Sequence, residues 1–243
     1  LLVHTFAVFA AGRTYDQIRN SVAYPGLNVK IIGSHAGLTV GEDGASHQCI
    51  EDISLMRTIP KMTVIVPCDS HETRLATKAV LEYEGPCYLR TGRCALDCVT
   101  DNFENYKFEI GKGVQLVDGT DVTIIACGLM VQESLKAEKI LEAEGINARV
   151  IDMHTIKPID RDIIIKAAKE TGAIVTAEEH NVIGGLGGSV SEVIVGTEPV
   201  PIEFIGVEDK FGHSGAPKEL LESFGLTPEH IAAAAKQAIQ RKK

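Results

Sequence analysis

DVTIIACGLMVQESLKAEKILEAEGINARVIDM, residues 121–153, is the stretch that decides the fold. Its first eight residues form an apolar, β-branched run ending in Gly128, the mark of a buried strand. Residues 129–145 then carry apolar side chains at helical spacing and close on Gly145, as an amphipathic helix with a glycine stop does. ARVIDM (148–153) returns to a strand. Strand, helix and strand in turn imply parallel strands joined by a crossover helix.

The alternation continues on both sides. Downstream come a helix over 160–171, a strand at AIVTAEE (173–179), a helix over 186–195, a strand at PIEFIG (201–206) and a last helix over 228–241. Upstream, NVKII (28–32), TVIVP (63–67) and CYLR (87–90) read as strands, and SHETRLATKAVLEYEG (70–85) as a helix capped by Ser70 and stopped by Gly85. CVTDNFENYKFEIGKG (98–113) has no sustained apolar period and reads as a linker. The expectation is α/β: two domains, 1–104 and 114–243, each a mostly parallel sheet with crossover helices and a core of moderate size.

Composition narrows the function. The chain has 243 residues, 44% hydrophobic and 23% charged, the balance of a soluble globular protein. A net charge of −9 argues against a nucleic-acid surface, and an anionic substrate would need a local basic cluster. No uncharged apolar run reaches the roughly 18 residues of a membrane span. The opening LLVHTFAVFAAGR lacks the basic lead of a signal peptide, so a cytoplasmic location is expected, and its start inside an apolar run suggests missing upstream sequence. The six cysteines form no CxxC pair, and CALDC (94–98) is a weak zinc signal, so free thiols and no metal site on this chain are expected.

HAGLTVGEDGASHQ (35–48) follows the NVKII strand directly. Loops after the carboxyl ends of parallel strands line the binding crevice. Gly37, Gly41 and Gly44 permit close backbone approach, and His35, Asp43 and His47 can grip hydroxyls and phosphates. The plainer reading is a surface loop with an Asp-Gly turn. YLRTGR adds Arg90 and Arg93 just beyond another strand, guanidinium forks suited to phosphate.

Residues 35–72, together with TFAVFAAGRTYDQIRNSV before them, resemble the pyrimidine-binding domain of the transketolase family, and residues 116–243 resemble that family's C-terminal domain. The layout is similar to the C-terminal subunit of a transketolase split over two chains, with a partial pyrimidine-binding domain at its start. The resemblance implies transfer of a two-carbon ketol unit between sugar phosphates with thiamine diphosphate, in which the cofactor carries the hard chemistry. It implies that Phe6 and Phe9 wall the aminopyrimidine ring, although two core phenylalanines at helical spacing would look the same. Many relatives carry a further aromatic where this chain has Gly12. It further implies that His35 and Arg93 bind the substrate phosphate, that Asp43 reads a sugar hydroxyl, and that His47 stands beside the thiazole as the catalytic residue. Arg90 is a second substrate-binding candidate, or faces a partner. GGLGG (184–188) reads as close strand-to-helix packing, and Glu178, Glu179, His180 and His213 as interdomain or dimer contacts.

Two gaps complete the expectation. No GDG-type segment with a later Asn is present, so the resemblance places the diphosphate cradle and Mg²⁺ on an N-terminal partner subunit, with homodimerisation through this chain. The family's pyrimidine-activating glutamate falls before Leu1, so the 243-residue chain is expected to be inactive even with that partner. Alternatives are a 1-deoxyxylulose 5-phosphate synthase, whose relatives usually lack a histidine at the place of His35, a 2-oxoacid dehydrogenase β-like subunit, and a non-catalytic assembly subunit.

Overall fold

The computed structural model describes residues 1–104 and 106–242. β6 (Val122–Ala126) is buried at every position, as a central parallel strand covered on both faces must be. It lies between β7 (Ala148–Asp152) and β9 (Ile174–Asn181) in a five-stranded sheet of order β10-β9-β6-β7-β5, with β10 at Ile202–Val207 and β5 at Val114–Val117. The first sheet has the order β1-β2-β4-β3-β8. Its members are β1 (Leu2–Phe6), β2 (Lys30–Ser34), β3 (Thr63–Ile65), β4 (Cys87–Arg90) and β8 (Thr155–Lys157). No helix among the described residues is long and apolar enough to cross a membrane.

Four strands of each sheet run parallel, and the α/β class stands. Strict alternation does not. β5 and β8 are antiparallel edge strands, pairing with β7 and β3. β8 comes from the second half of the chain yet closes the first sheet, and a Val66 N–H bonded to the His154 carbonyl extends the join. The cores are not separate either. The largest apolar cluster unites Ile53, Met56 and Val64 of the first half with Ile151, Ile164 and Leu186 of the second. Two adjoining sheets bury more apolar surface by packing helices between them than each would alone.

Helix ends follow local chemistry. α5 (Arg161–Thr171) is capped by the Asp160 carboxylate on the Ile163 N–H and ends at Gly172 in the left-handed region. α3 (Ser70–Glu82) corrects the assignment of Ser70 as cap: Asp69 Oδ1 accepts from Glu72 N while its Oδ2 accepts from Thr100 N, a two-oxygen grip that a single serine hydroxyl lacks. The opening run departs from a plain helix. Phe6 ends β1, and only then does the chain coil through two wide π-type segments, Phe9–Arg13 and Ile18–Ala23, joined by α1 (Tyr15–Gln17).

Candidate functional site

The first sheet brings three segments to one rim. β1 pairs with β2 so that Phe6 lies opposite Ser34, and β2 pairs with β4 so that Gly33 lies opposite Arg90. Phe6, His35 and the Thr91–Arg93 loop therefore emerge together at the carboxyl ends of adjacent parallel strands, the usual mouth of an open α/β sheet.

At that rim the rings of Phe6 and Phe9 are parallel within 1°, with centroids 5.9 Å apart, and both are half-buried. His35 stacks on Phe6 at 4.0 Å, and the edge of His47 meets Phe9 at 5.8 Å and Phe6 at 6.3 Å. The two phenylalanines are not packed away in the core. Two flat apolar faces with imidazoles around them fit an aminopyrimidine ring. Gly12 faces open space, so no third ring extends this shelf. His47 Nδ1 is held by Ser46 Oγ at 2.9 Å, and no hydrogen bond engages its Nε2 among the described residues.

His35 adopts a left-handed backbone, φ 56°, uncommon for a residue with a side chain. Its Nδ1 lies 3.1 Å from Ser34 Oγ. Burial, with a lesser push from Arg93, moves its pKa down from the ordinary histidine value, while Asp43 opposes the shift. Arg93 Nη1 donates to the Val40 carbonyl at 2.5 Å and lies 3.4 Å from Asp43 Oδ2. That ion pair is 42% and 46% exposed, so it holds together by no more than about 1 kcal/mol and opens readily to a ligand.

Arg90 is the exception and corrects its assignment as a substrate ligand. Its guanidinium is buried, paired with Asp52 at 2.9 Å, and its Nη2 donates to the carbonyls of Cys49 and Glu179. Arg90 is the last residue of β4 and its side chain is buried, while Arg93, three residues into the following loop, is 42% exposed.

The second half of the chain braces this loop. The Glu179 carboxylate accepts from Thr39 N at 2.6 Å, and a Cβ on Gly37 would stand 2.3 Å from Glu179 Cδ. Gly44, at φ 70°, lets Ser214 approach so closely that a Cβ would lie 2.5 Å from its Oγ. Gln48 Nε2 donates to Leu38 O and His213 O, both at 3.0 Å. Sequence reasoning missed Gln48 and Ser214, whose contacts lie far along the chain. His180 Nε2 accepts from Ser54 N, a further tie between the halves. Glu178 caps α6 (Leu186–Val195) through Leu186 N and Gly187 N, and a Cβ on Gly187 would strike Phe204 at 2.5 Å, so GGLGG serves close packing. A cavity of about 720 Å³ lies apart from the rim, lined by Leu129, Leu221 and His230 among others, and none of the six rim residues reaches it.

Comparison with known proteins agrees with this geometry. The family model "Transketolase, pyrimidine binding domain" matches residues 1–97, and "Transketolase, C-terminal domain" matches residues 111–231. A protein of Methanocaldococcus jannaschii assigned as a transketolase C-terminal section is 51% identical over 94% of this chain and 72% of its own length. The 6-deoxy-6-sulfo-D-fructose transketolase subunit SqwH of Clostridium sp. (strain MSTE9) is 45% identical over 98% of this chain and 74% of its own. A solved structure described as a split gene transketolase, inactive beta4 tetramer, superimposes with a TM-score of 0.93 at 50% identity, covering 100% of this chain and 77% of that one. The chain belongs to the transketolase family and corresponds to its C-terminal section, a pyrimidine-binding domain followed by a C-terminal domain.

Proposed function

We propose that this chain is the substrate-reading subunit of a two-chain, thiamine diphosphate-dependent transketolase acting on sugar phosphates. The observation that supports it most is the gathering of Phe6, Phe9, His35, Asp43, His47 and Arg93 at the carboxyl ends of β1, β2 and β4. When bound, the cofactor supplies the nucleophile that takes up the two-carbon unit and stores its electrons. Phe6 and Phe9 hold its pyrimidine end by apolar contact. Its diphosphate and Mg²⁺ belong to an N-terminal partner subunit. Arg93 and His35 take the phosphate, Arg93 exchanging its weak pair with Asp43 for a charge-assisted fork. Asp43, so released, accepts from a substrate hydroxyl and rejects the epimer that leaves it unpaired. His47 donates from its unengaged Nε2 to the oxygen that gains charge as the C–C bond breaks.

The related Clostridium subunit takes its name from a sulfonated sugar. Sulfonate and phosphate are both tetrahedral oxyanions, and the two charges of phosphate favour the paired use of Arg93 and His35.

The test is ketol transfer by three preparations: this chain alone, this chain with an N-terminal transketolase subunit, and this chain extended by the upstream segment of the M. jannaschii relative with that same subunit. No activity is expected from this chain alone, and the extended chain with the N-terminal subunit is expected to be active. In that assembly Asp43→Ala lowers kcat/KM at least about 10-fold for the preferred acceptor and least for poorly matched ones, as the loss of one hydroxyl contact worth 1.4 kcal/mol or more requires. Transfer by the chain alone, or a uniform loss across all acceptors, contradicts the reading.

A further inference from the structure

A second cluster of reactive side chains lies on the boundary between the two sheets, away from the rim. Cys68 follows β3, Glu72 sits in the first turn of α3, and Asp152 and His154 flank the exit of β7 toward β8. All four are buried. One ligand atom each from Cys68, Glu72 and Asp152 lie within 4.8 Å of one another. Cys68 Sγ stands 3.7 Å from Asp152 Oδ2, and His154 Nε2 stands 4.0 Å from Glu72 Oε1.

Charge and hydrogen bonding leave this cluster incomplete. No lysine or arginine hydrogen bonds to either carboxylate among the described residues; their partners there are Cys68 and the Tyr106 hydroxyl. His154 Nε2 and Asp152 Oδ1 are buried without a hydrogen-bond partner among the described residues. Unpaired buried polar atoms cost about 1–3 kcal/mol each. His154 Nδ1 is 2.9 Å from Thr155 Oγ1, and in the tautomer in which Nδ1–H donates to that hydroxyl Nε2 carries a lone pair toward the cluster. Phe108 stacks on the same ring at 4.1 Å and holds it.

The spacings favour an ion over water. Two ligands on one tetrahedral Zn²⁺, with bonds of roughly 2.0–2.3 Å, stand about 3.4–3.7 Å apart, and wider when the angle opens. A direct hydrogen bond brings its atoms within roughly 3.2 Å, and a single bridging water holds them at about 4.5 Å. The 4.0 Å separation of His154 Nε2 and Glu72 Oε1 falls between these limits, and the 3.7 Å between Cys68 Sγ and Asp152 Oδ2, spanned here by an S–H···O hydrogen bond, equals the spacing of two ligands on one zinc.

We propose that Cys68, Glu72, Asp152 and His154 form a structural site for a thiophilic divalent cation of the Zn²⁺ class, tying α3 to the β7–β8 segment across the sheet boundary. One thiolate, one imidazole and two carboxylates are a donor set that zinc accepts and that Mg²⁺ and Ca²⁺ do not favour. Binding releases to solvent the Cys68 thiol proton and any proton shared by the carboxylates; nothing is oxidised or reduced. A cavity of about 540 Å³, lined by Cys68, Asp69, Thr91 and Ala95 among others, supplies the approach. The site is independent of the ketol-transfer reading and runs against the expectation that this chain holds no metal.

The experiment titrates the full chain, stripped by chelation, with Co²⁺ as the spectroscopic probe and then with Zn²⁺. One equivalent of Co²⁺ is expected to bind with a thiolate-to-metal charge-transfer band, Zn²⁺ to abolish the band, and Zn²⁺ to raise Tm. Cys68→Ser removes the band, and His154→Phe weakens binding at least about 10-fold. Cys98→Ser, beside the exposed Asp101, leaves both unchanged. Near-ultraviolet circular dichroism checks that each variant is folded, and Asp152→Asn, which keeps its shape, serves if Cys68→Ser is not. A folded wild-type chain with no band at one equivalent, or a band that survives Cys68→Ser or vanishes in Cys98→Ser, overturns the proposal.

Discussion

Arg90 and Arg93 stand three residues apart and do opposite work. Arg90 is sealed against Asp52 and two carbonyls, while Arg93 lies half-exposed against Asp43. Removing one partner of a buried pair strands the other, so Arg90→Met is expected to cost about 3–5 kcal/mol in urea unfolding. Arg93→Ala changes stability by no more than about 0.5 kcal/mol and instead raises the KM for phosphorylated substrates in the assembled enzyme. Equal stability losses would show that the two are misassigned. His35 carries a pH signature. Its pKa is lowered, first by burial and then by Arg93, so the free enzyme holds it neutral near pH 7. A bound phosphate draws the proton back, and affinity rises as pH falls through the interval between the free and bound pKa values. The KM for phosphorylated acceptor should therefore fall from pH 8 toward 6, and His35→Asn should flatten the part of that slope that substrate ionisation does not explain; identical slopes would exclude His35 from phosphate binding. Both arginines and the histidine could be picked out as types from the sequence. Which of them faces the ligand could not, because Asp52 and Glu179, which claim Arg90, lie 38 and 89 residues away.

At the scale of elements, the central strands and most long helices were readable because burial and period are local properties. α6 and β4 fall at the expected residues, and α5 has the cap and stop its sequence advertises. The errors lie where a tertiary partner overrides local propensity. Asp69 outcompetes Ser70 as cap of α3 because Thr100 N and Oγ1 both donate to its carboxylate. Asp69→Ala should then cost about 2–4 kcal/mol, a lost cap plus unsatisfied Thr100 donors, and Ser70→Ala under about 0.5 kcal/mol, both read from urea midpoints. Similar costs would restore Ser70 as the cap. The short strands β1, β5 and β8 and the short helices α2 (Asp52–Thr58) and α7 (Pro217–Ser223) went unseen. A strand such as β8 exists only because β3 offers it an edge, which no local pattern announces.

Across the whole molecule, β8 and the shared apolar cluster join the two halves. Urea unfolding followed by far-ultraviolet circular dichroism and by tyrosine fluorescence should give coincident transitions, since neither half can keep its core when the other opens. Two separated transitions would mean that the halves are independent domains. The same arrangement explains the site, for the loop at 35–48 springs from the first sheet while Glu179, His213 and Ser214 hold it from the second half. Sequence alone determined the α/β class, the long elements, the family and the chemical types at the rim, because periodicity, capping and motif spacing are written in neighbouring residues. Only the tertiary structure decided that the halves share a core and a strand, that Arg90 is an internal brace, and that a buried Cys, Glu, Asp and His meet at the boundary. Those outcomes depend on pairings between residues far apart along the chain, such as Arg90 with Glu179, 89 positions on, and no local pattern encodes such a meeting.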